Sequence, residues 1–446
     1  MPVSLWAILL GILITYILLK VIFQYTLDTT YYDYLEDKKR DPATEFRETV
    51  RNAMENIPCY RALVTTQKGP PKDNTKEGDL PILTKTFLQQ DSCIHRDLIP
   101  IQSTKTMTTN SWSDQKVNTA GFFSMLTALL QFSISNRYAI AVVTGGTSGD
   151  SFYYWYTKPE MVELAKSYFH CWETFGWDPS QVVLVYYGHP SSGLEIIKYF
   201  TACNVKAIIP EFSDGDITER SIVELLAAIE YQRPLILESM PNVIFRVAQY
   251  IYRNSITLVH RLRGISISGD FLFRCQYDFI CRMFPHTRVR MSYGTVEFGQ
   301  IAQQASSDDL YTYRVFDRVA YVENIGESLA VTRYRYKNMP IIRYHLSDVG
   351  TVSADHAYIH GLIGKRNSGI DFLALNDAIE SVKCSDIINA RVKDNTLILT
   401  VLAPLSYSMI HRLSQLTGFT VEVDTCTEEL CLTRDNLERK VTPILS

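Results

Sequence analysis

Residues 233–251 read Arg233-Pro234-Leu235-Ile236-Leu237-Glu238-Ser239-Met240-Pro241-Asn242-Val243-Ile244-Phe245-Arg246-Val247-Ala248-Gln249-Tyr250-Ile251. Leu235–Leu237 is a short apolar β-type run, and Ile244, Val247, Ala248 and Ile251 follow at i, i+3, i+4 and i+7, one face of a helix. The same alternation extends to both sides. Ala139–Val143, Val182–Tyr187, Val205–Ile209, Ile265–Ser268 and Val289–Met291 are further short apolar runs. Between them lie the helix-period sets Ile222/Leu225/Leu226/Ile229 and Leu272/Cys275/Phe279/Ile280/Met283. Strand, amphipathic helix, strand predicts an α/β layer of parallel strands with crossover helices.

Outward from this layer the chain changes character. Leu329–Thr332 and Ile341–Tyr344 are richer in β-formers, and a smaller α+β unit follows, with strands expected at Leu397–Val401 and Thr420–Val423. Toward the N-terminus, Tyr31 to about Asn118 is polar and broken by Gly69-Pro70-Pro71. At the start, Val3–Phe23 is apolar except for Ser4, Thr15, Lys20 and one glycine, and reaches roughly 30 Å as a helix, the hydrocarbon thickness of a bilayer. Lys20, Lys38, Lys39 and Arg40 all lie on its C-terminal side, so the positive-inside rule places the body in the cytoplasm. The expected organisation is a transmembrane anchor over 1–28, a linker and helical part over 29–118, a core over 119–364 and a C-terminal unit over 365–446.

The 446 residues, 46% of them hydrophobic, exceed what one core accommodates and exclude wholesale disorder. With 44 Lys+Arg against 48 Asp+Glu there is no basic field for nucleic acid, and no such partner is expected. Nine scattered cysteines without a CxxC spacing suit neither a disulfide framework nor a zinc site.

Three loops carry chemistry-bearing residues. Thr144-Gly145-Gly146-Thr147-Ser148-Gly149 directly follows a predicted strand, and small residues there let backbone N–H groups approach a phosphate. It also reads as an ordinary turn. Asp150 stands where a P-loop has lysine. Tyr293-Gly294-Thr295-Val296-Glu297-Phe298-Gly299 ends another strand and joins an aromatic face to a carboxylate suited to a hard cation, or else is a packed tyrosine beside a surface glutamate. Asp348, closing Pro340-Ile341-Ile342-Arg343-Tyr344-His345-Leu346-Ser347-Asp348, suits ribose hydroxyls or a turn cap.

In order along the chain, LPILTK (80–85), TGGTSGDSF (144–152), WETFGWDPSQVVLV (172–185), RPLILESMPNVIFRVA (233–248), ISGD (267–270), YGTVEFGQIA (293–302) and MPIIRYHLSD (339–348) resemble the adenylate-forming superfamily, and within it the phenylacetate–coenzyme A ligase and capsule-biosynthesis type. The resemblance implies a large multi-layer N-terminal domain with parallel sheets and a small α+β lid domain. It implies an ATP-dependent carboxylate ligase that forms an acyl-adenylate and passes the acyl group to coenzyme A or another thiol, amine or hydroxyl acceptor. Thr144, Gly146, Thr147, Ser148 and Gly149 would wrap the phosphates of ATP. Ser268, Gly269 and Asp270 would line the adenine pocket, Tyr293 would stack on the base, and Gly294 and Thr295 would lie close to nucleotide and acyl carboxylate. Glu297 would hold Mg2+, Asp348 the ribose, Arg366 the entry to the lid, and Lys440 would be the lid lysine.

The sequence departs from that pattern at Asp270, at Gly369 three residues after Arg366, and at Lys440, which lacks the usual preceding glycine. Asp150 and Gly369 motivate a second reading, a catalytically inactive nucleotide-binding or scaffold descendant. A third, a membrane-bound glycosyl- or phosphotransferase, rests on Asp308-Asp309 alone. The aromatic run Phe152–Tyr156 suits either an acyl pocket or packing surface.

Overall fold

The computed structural model describes residues 30–57, 60–61, 80–84, 107–108, 139–144, 152–186, 205–207, 212–213, 216–269, 271–295, 297–337, 340–363, 371–384, 386–393 and 395–425. The apolar segment expected to span a membrane, 1–28, lies outside them. Among the described residues no helix is long and apolar enough to cross a bilayer.

The strands, in chain order, are β1 (Met107–Thr108), β2 (Ala139–Thr144), β3 (Phe152–Thr157), β4 (Val183–Tyr186), β5 (Val205–Ala207), β6 (Phe212–Ser213), β7 (Asp216–Ile217), β8 (Ile236–Ser239), β9 (Gly264–Ser268) and β10 (Arg288–Thr295). They continue with β11 (Gly299–Gln304), β12 (Tyr313–Val315), β13 (Ala320–Ile325), β14 (Ser328–Arg333), β15 (Tyr344–Val352), β16 (Tyr358–Ile363), β17 (Ile387–Lys393), β18 (Thr396–Val401) and β19 (Thr420–Thr425). The helices used below are α1 (Pro42–Asn56), α2 (Lys158–Glu173), α3 (Glu219–Gln232), α4 (Pro241–Arg253), α5 (Arg274–Met283), α6 (Phe372–Ser381) and α7 (Tyr407–Thr417).

An 11-stranded sheet in the order β13-β14-β15-β16-β12-β11-β10-β9-β8-β4-β5 organises the body. Its β5-β4-β8-β9-β10 half is parallel, with Val183 opposite Ile236, Ile236 opposite Gly264 and Gly264 opposite Arg288. β4, β8 and β9 are buried along their length, which is why they read as unbroken apolar runs. α3, α4 and α5 are the crossovers between them; of the residues expected on their inner faces, Ile222, Leu225, Ile229, Ile244, Val247, Ala248, Phe279 and Ile280 are buried, while Cys275 and Met283 are half-buried. α3 starts where Thr218 accepts from Ser221 N, and α4 where Pro241 takes the first-turn position that needs no N–H donor.

Two expectations about strands are corrected. Ala139–Val143 is not a strand of the parallel layer. β2 lies in a separate three-stranded sheet, parallel to β1 and antiparallel to β3, with Thr144 opposite Phe152. The seven residues joining β2 to β3 are too few for a crossover, which needs a dozen or more, so the chain forms a hairpin. The aromatic run is thus a strand. Tyr154 and Tyr156 share one face of it, are fully buried, and pack with Tyr336. Ile341–Tyr344 is not a strand either, because Arg343 has a left-handed φ of 51° and β15 begins only at Tyr344.

Beyond β16, α6, α7 and the sheet β17-β18-β19 enclose their own apolar cluster, including Leu375, Ile379, Leu397, Leu399, Val401 and Leu413. The unit meets the body at α5, where Gln276 Nε2 donates to Asn389 Oδ1 at 2.6 Å and Arg274 N donates to Asn376 Oδ1 at 2.9 Å.

At the other end, a helix over residues 30–37 is fixed by buried charge. Lys166 donates to Asp37 at 2.7 Å and to Glu163 at 2.9 Å, and Arg335 pairs with Glu163 at 2.7 Å and Glu45 at 3.3 Å. Burial alone would raise the Glu163 carboxyl, but the Arg335 and Lys166 cations outweigh it and hold the group down at about 2. A carboxyl whose folded value is depressed stabilises the fold above its unfolded value and ceases to do so as pH falls through the folded one. Glu163→Gln is therefore expected to lower stability at neutral pH and to flatten the loss of stability between pH 4.5 and 2, measured by urea denaturation across that range.

Candidate active site

Two of the three stretches singled out in the sequence, those bearing Tyr293 and Asp348, meet at the C-terminal ends of β9 and β10, the end of a parallel sheet where ligands bind. Ser268, last residue of β9, lies opposite Ser292 of β10, and Gly269 after it has a φ of 110° that favours glycine. β10 bulges between Tyr293 and Gly294 and pairs antiparallel with β11, with Thr295 opposite Gly299. The turn requires glycines: a Cβ on Gly294 would lie 2.3 Å from Gly299 O, and Gly299 itself has a φ of 68° with Leu164 and Ser167 packed against it.

Tyr293 and Asp348, 55 residues apart, are joined by the phenol donating to Asp348 Oδ2 at 2.7 Å. Burial, and then the Asp348 charge, push the Tyr293 phenol well up, so it remains a donor. Thr295 Oγ1 is buried with no hydrogen-bond partner among the described residues, and so is Gln300 Oε1. Two such orphaned atoms at one turn mark a place built for polar groups from outside the protein. Glu297 is only 7% exposed, which removes the reading of a surface glutamate. Burial first, with Glu297 among the charges that add to it, raises the phenols of Tyr154, Tyr156, Tyr293 and Tyr344, so neutral aromatic groups surround this carboxylate. Among the described residues no three His, Cys, Asp or Glu side chains cluster as metal ligands. One protein carboxylate with substrate phosphates completing the shell is a common way for Mg2+ to be held, and Glu297 is the carboxylate at this turn.

Sequence reasoning missed what holds this turn. Arg333, fully buried in β14, donates through Nε to Phe298 O at 3.0 Å, through Nη1 to Val319 O at 2.6 Å and through Nη2 to Glu163 O at 2.8 Å. Its guanidinium also lies over the Tyr336 ring, 4.8 Å from the centroid. From α2, Ser167 Oγ accepts from Gln300 N at 3.1 Å. The one available signal was a charged residue inside a β-rich stretch, which periodicity alone does not interpret.

Thr144 is the last β2 residue of the hairpin whose connection is the Gly-rich loop, while Gly146, Thr147, Ser148, Gly149, Asp270, Arg366 and Lys440 lie outside the described residues. Asp308 and Asp309 belong to an exposed turn, where Asp309 Oδ1 accepts from Tyr311 N.

No family model and no curated protein sequence matches this chain. Solved structures do. A 2-hydroxyisobutyryl-CoA ligase in the postadenylation state, in complex with R3-HIB-AMP, superimposes with a TM-score of 0.60 at 13% identity, over 88% of this chain and 87% of that one. The same ligase with 2-HIB-AMP and CoA in the thioesterification state gives 0.52 at 13% identity, over 89% and 91%. This chain has the fold of the adenylate-forming ligases. The likeness spans both the body and the C-terminal unit, and at this identity it is a likeness of fold.

Replacing Arg333 with methionine removes the donors to Phe298 O, Val319 O and Glu163 O, although Val319 O keeps the bond that it accepts from Tyr334 N. Arg333→Met is expected to lower unfolding free energy by about 1–3 kcal/mol in urea titration, whereas an exposed control such as Arg220→Met should change it little.

Proposed function

We propose that this chain is a membrane-anchored, ATP-dependent carboxylate ligase that activates a carboxylic acid as acyl-AMP and transfers the acyl group to coenzyme A or to another thiol, amine or hydroxyl acceptor, in the manner of phenylacetate–coenzyme A ligases. The observation that carries this reading is the Tyr293–Asp348 hydrogen bond beside the orphaned Thr295 hydroxyl. It joins an aromatic ring, a ribose-binding carboxylate and a free donor at the open end of the strands. The comparison ligases, which hold acyl-AMP and CoA, support the same assignment.

The chemistry explains the residue types. A carboxylate oxygen attacks the α-phosphorus and pyrophosphate leaves, so two anions approach and charge develops on the leaving group. Asp348 accepts from the ribose hydroxyls and fixes the nucleoside. Thr295 Oγ1 donates to the phosphate or acyl oxygen that comes to lie beside β10. Bound at Glu297, Mg2+ would neutralise phosphate charge. Thr144 and the loop that follows it contribute backbone donors around the β- and γ-phosphates. Lys440 is the candidate lid lysine, and Arg366 marks the start of the lid. The anchor over 1–28 would hold this body at the cytoplasmic side.

Carboxylate-dependent exchange of pyrophosphate into ATP tests the reading, and a panel of acids that elicits none would sink it. Glu297→Gln is expected to lower exchange by a factor of about 100 or more, with Mg2+ titration failing to restore it. Asp348→Ala should instead weaken ATP binding by about 1.5–3 kcal/mol, read from KM for ATP.

Lys440→Ala should lower kcat for adenylation by a factor on the order of 100 with little change in KM for ATP, because its charge acts as pyrophosphate departs. Transfer from a supplied acyl-adenylate should survive in the same variant.

A further inference from the structure

The end of the sheet opposite the candidate active site has its own character. β4, β8, β9 and β10 all begin there; Arg233, Arg261 and Arg263 precede β8 and β9, and Arg288 opens β10. All four are exposed, and none forms an ion pair among the described residues. The acids nearby are already engaged. Glu230 accepts from Val259 N and His260 N, Glu173 pairs with Lys38, and Asp178 accepts from Ser180.

The same edge presents apolar side chains to solvent. Tyr231, at the end of α3, is 88% exposed and Val259, in the loop after α4, is 85% exposed, the two highest values for large hydrophobic residues among those described. Tyr252 in the last turn of α4 and Tyr32 are exposed as well. An open groove of about 400 Å³ runs beside them, lined by Leu226, Tyr250, Ile256 and Leu258. Tyrosines and arginines around an apolar tip form the composition of a surface lying at the headgroup level of a membrane.

The direction of the chain agrees. The helix over residues 30–37 runs antiparallel to α2: Tyr31 packs on Trp177 at 5.8 Å, while Asp37 reaches Lys166 further back along α2. Phe175, in the same turn as Trp177, lies so close to Gly264 that a Cβ there would be 2.2 Å away. Residue 30 therefore sits at the arginine end, and the apolar segment 3–23 precedes it by a few residues.

We infer that this arginine end lies against an anionic lipid surface, with Val259 and Tyr231 in the interfacial layer, so that the candidate active site opens away from the membrane. The inference rests on the anchor reading of the N-terminal segment but not on the ligase reading. A partner protein or a second copy of this chain would give cross-links to protein rather than to lipid.

Full-length chain carrying p-benzoylphenylalanine in place of Val259 or Tyr231, or of Glu327 in the exposed β13–β14 turn as a control, is placed in vesicles of phosphatidylcholine with or without about one third phosphatidylserine. After irradiation, lipid adducts at positions 259 and 231 should exceed those at 327 at least about fivefold and should increase with phosphatidylserine. Combining R233E, R261E and R263E should reduce them about fivefold, with the urea midpoint preserved and the chain still resisting carbonate extraction. Adducts at 259 no greater than at 327, yields indifferent to the arginine reversals, or cross-links to a second chain would overturn the inference. Release by carbonate with lipid adducts intact would remove the anchor and leave the lipid-facing surface standing.

Discussion

The guanidinium of Arg333 holds together parts of the chain that share no sequence neighbourhood. Its three donors close on the carbonyls of Phe298, Val319 and Glu163, which belong to the β10–β11 turn, the segment before β13 and the helix α2. A buried cation is costly unless every donor is used, and here all three directions are filled by backbone. The geometry of the turn bearing Glu297 is thereby fixed from behind, while its front remains polar and incompletely satisfied. One turn of α2 beyond Glu163, Ser167 adds a second fixed point through Gln300 N. Rigidity on one side and unsatisfied hydrogen bonding on the other is what a binding turn needs if it is not to reorganise when a charged group arrives.

The parallel half of the sheet gives the molecule two chemically different ends. Strands that all run one way put every β-to-α turn on one edge and every α-to-β turn on the other. The first edge collects Ser268, Gly269, Tyr293, Gly294 and Thr295. The second collects arginines near the strand starts and the exposed Tyr231 and Tyr252. The antiparallel half then folds back so that β15 brings Asp348 to the first edge, where Tyr293 meets it.

How much of this was legible in the sequence depended on the range of the forces. Local periodicity located β4, β5, β8, β9 and β10 and the buried faces of α3 and α4, since burial on both faces of a strand or one face of a helix leaves a direct imprint. It misassigned Ala139–Val143, because an apolar run does not declare its partner; the shortness of the connection to β3 decided that. Motif order brought Tyr293, Thr295, Glu297 and Asp348 together, and the structure adds what a motif does not contain. Tyr293 and Asp348 are bonded directly, and Glu297 is buried among phenols. Arg333, Lys166 and Arg335 were invisible because a charge pairs with whatever the fold delivers, often more than 100 residues away.

The C-terminal unit follows a different logic of attachment. Its apolar interior is its own, from Leu375 to Leu413, and what crosses to the body is the aromatic group Phe271, Phe273 and Phe372 together with two amide-based hydrogen bonds. Phe271 is in turn stacked on Tyr311 with ring planes 2° apart, so the aromatic group belongs as much to the body as to the unit. A junction of this kind differs from the Arg333 site in what separation costs. Amides exposed by parting regain water while the rings lose apolar burial, whereas loss of the carbonyls around Arg333 would leave a buried cation unpaired. The part of the chain that must stay still for the Glu297 turn to keep its shape is thus locked by buried charge. The part whose resemblance implies movement is joined by an aromatic group and by hydrogen bonds to Asn376 and Asn389.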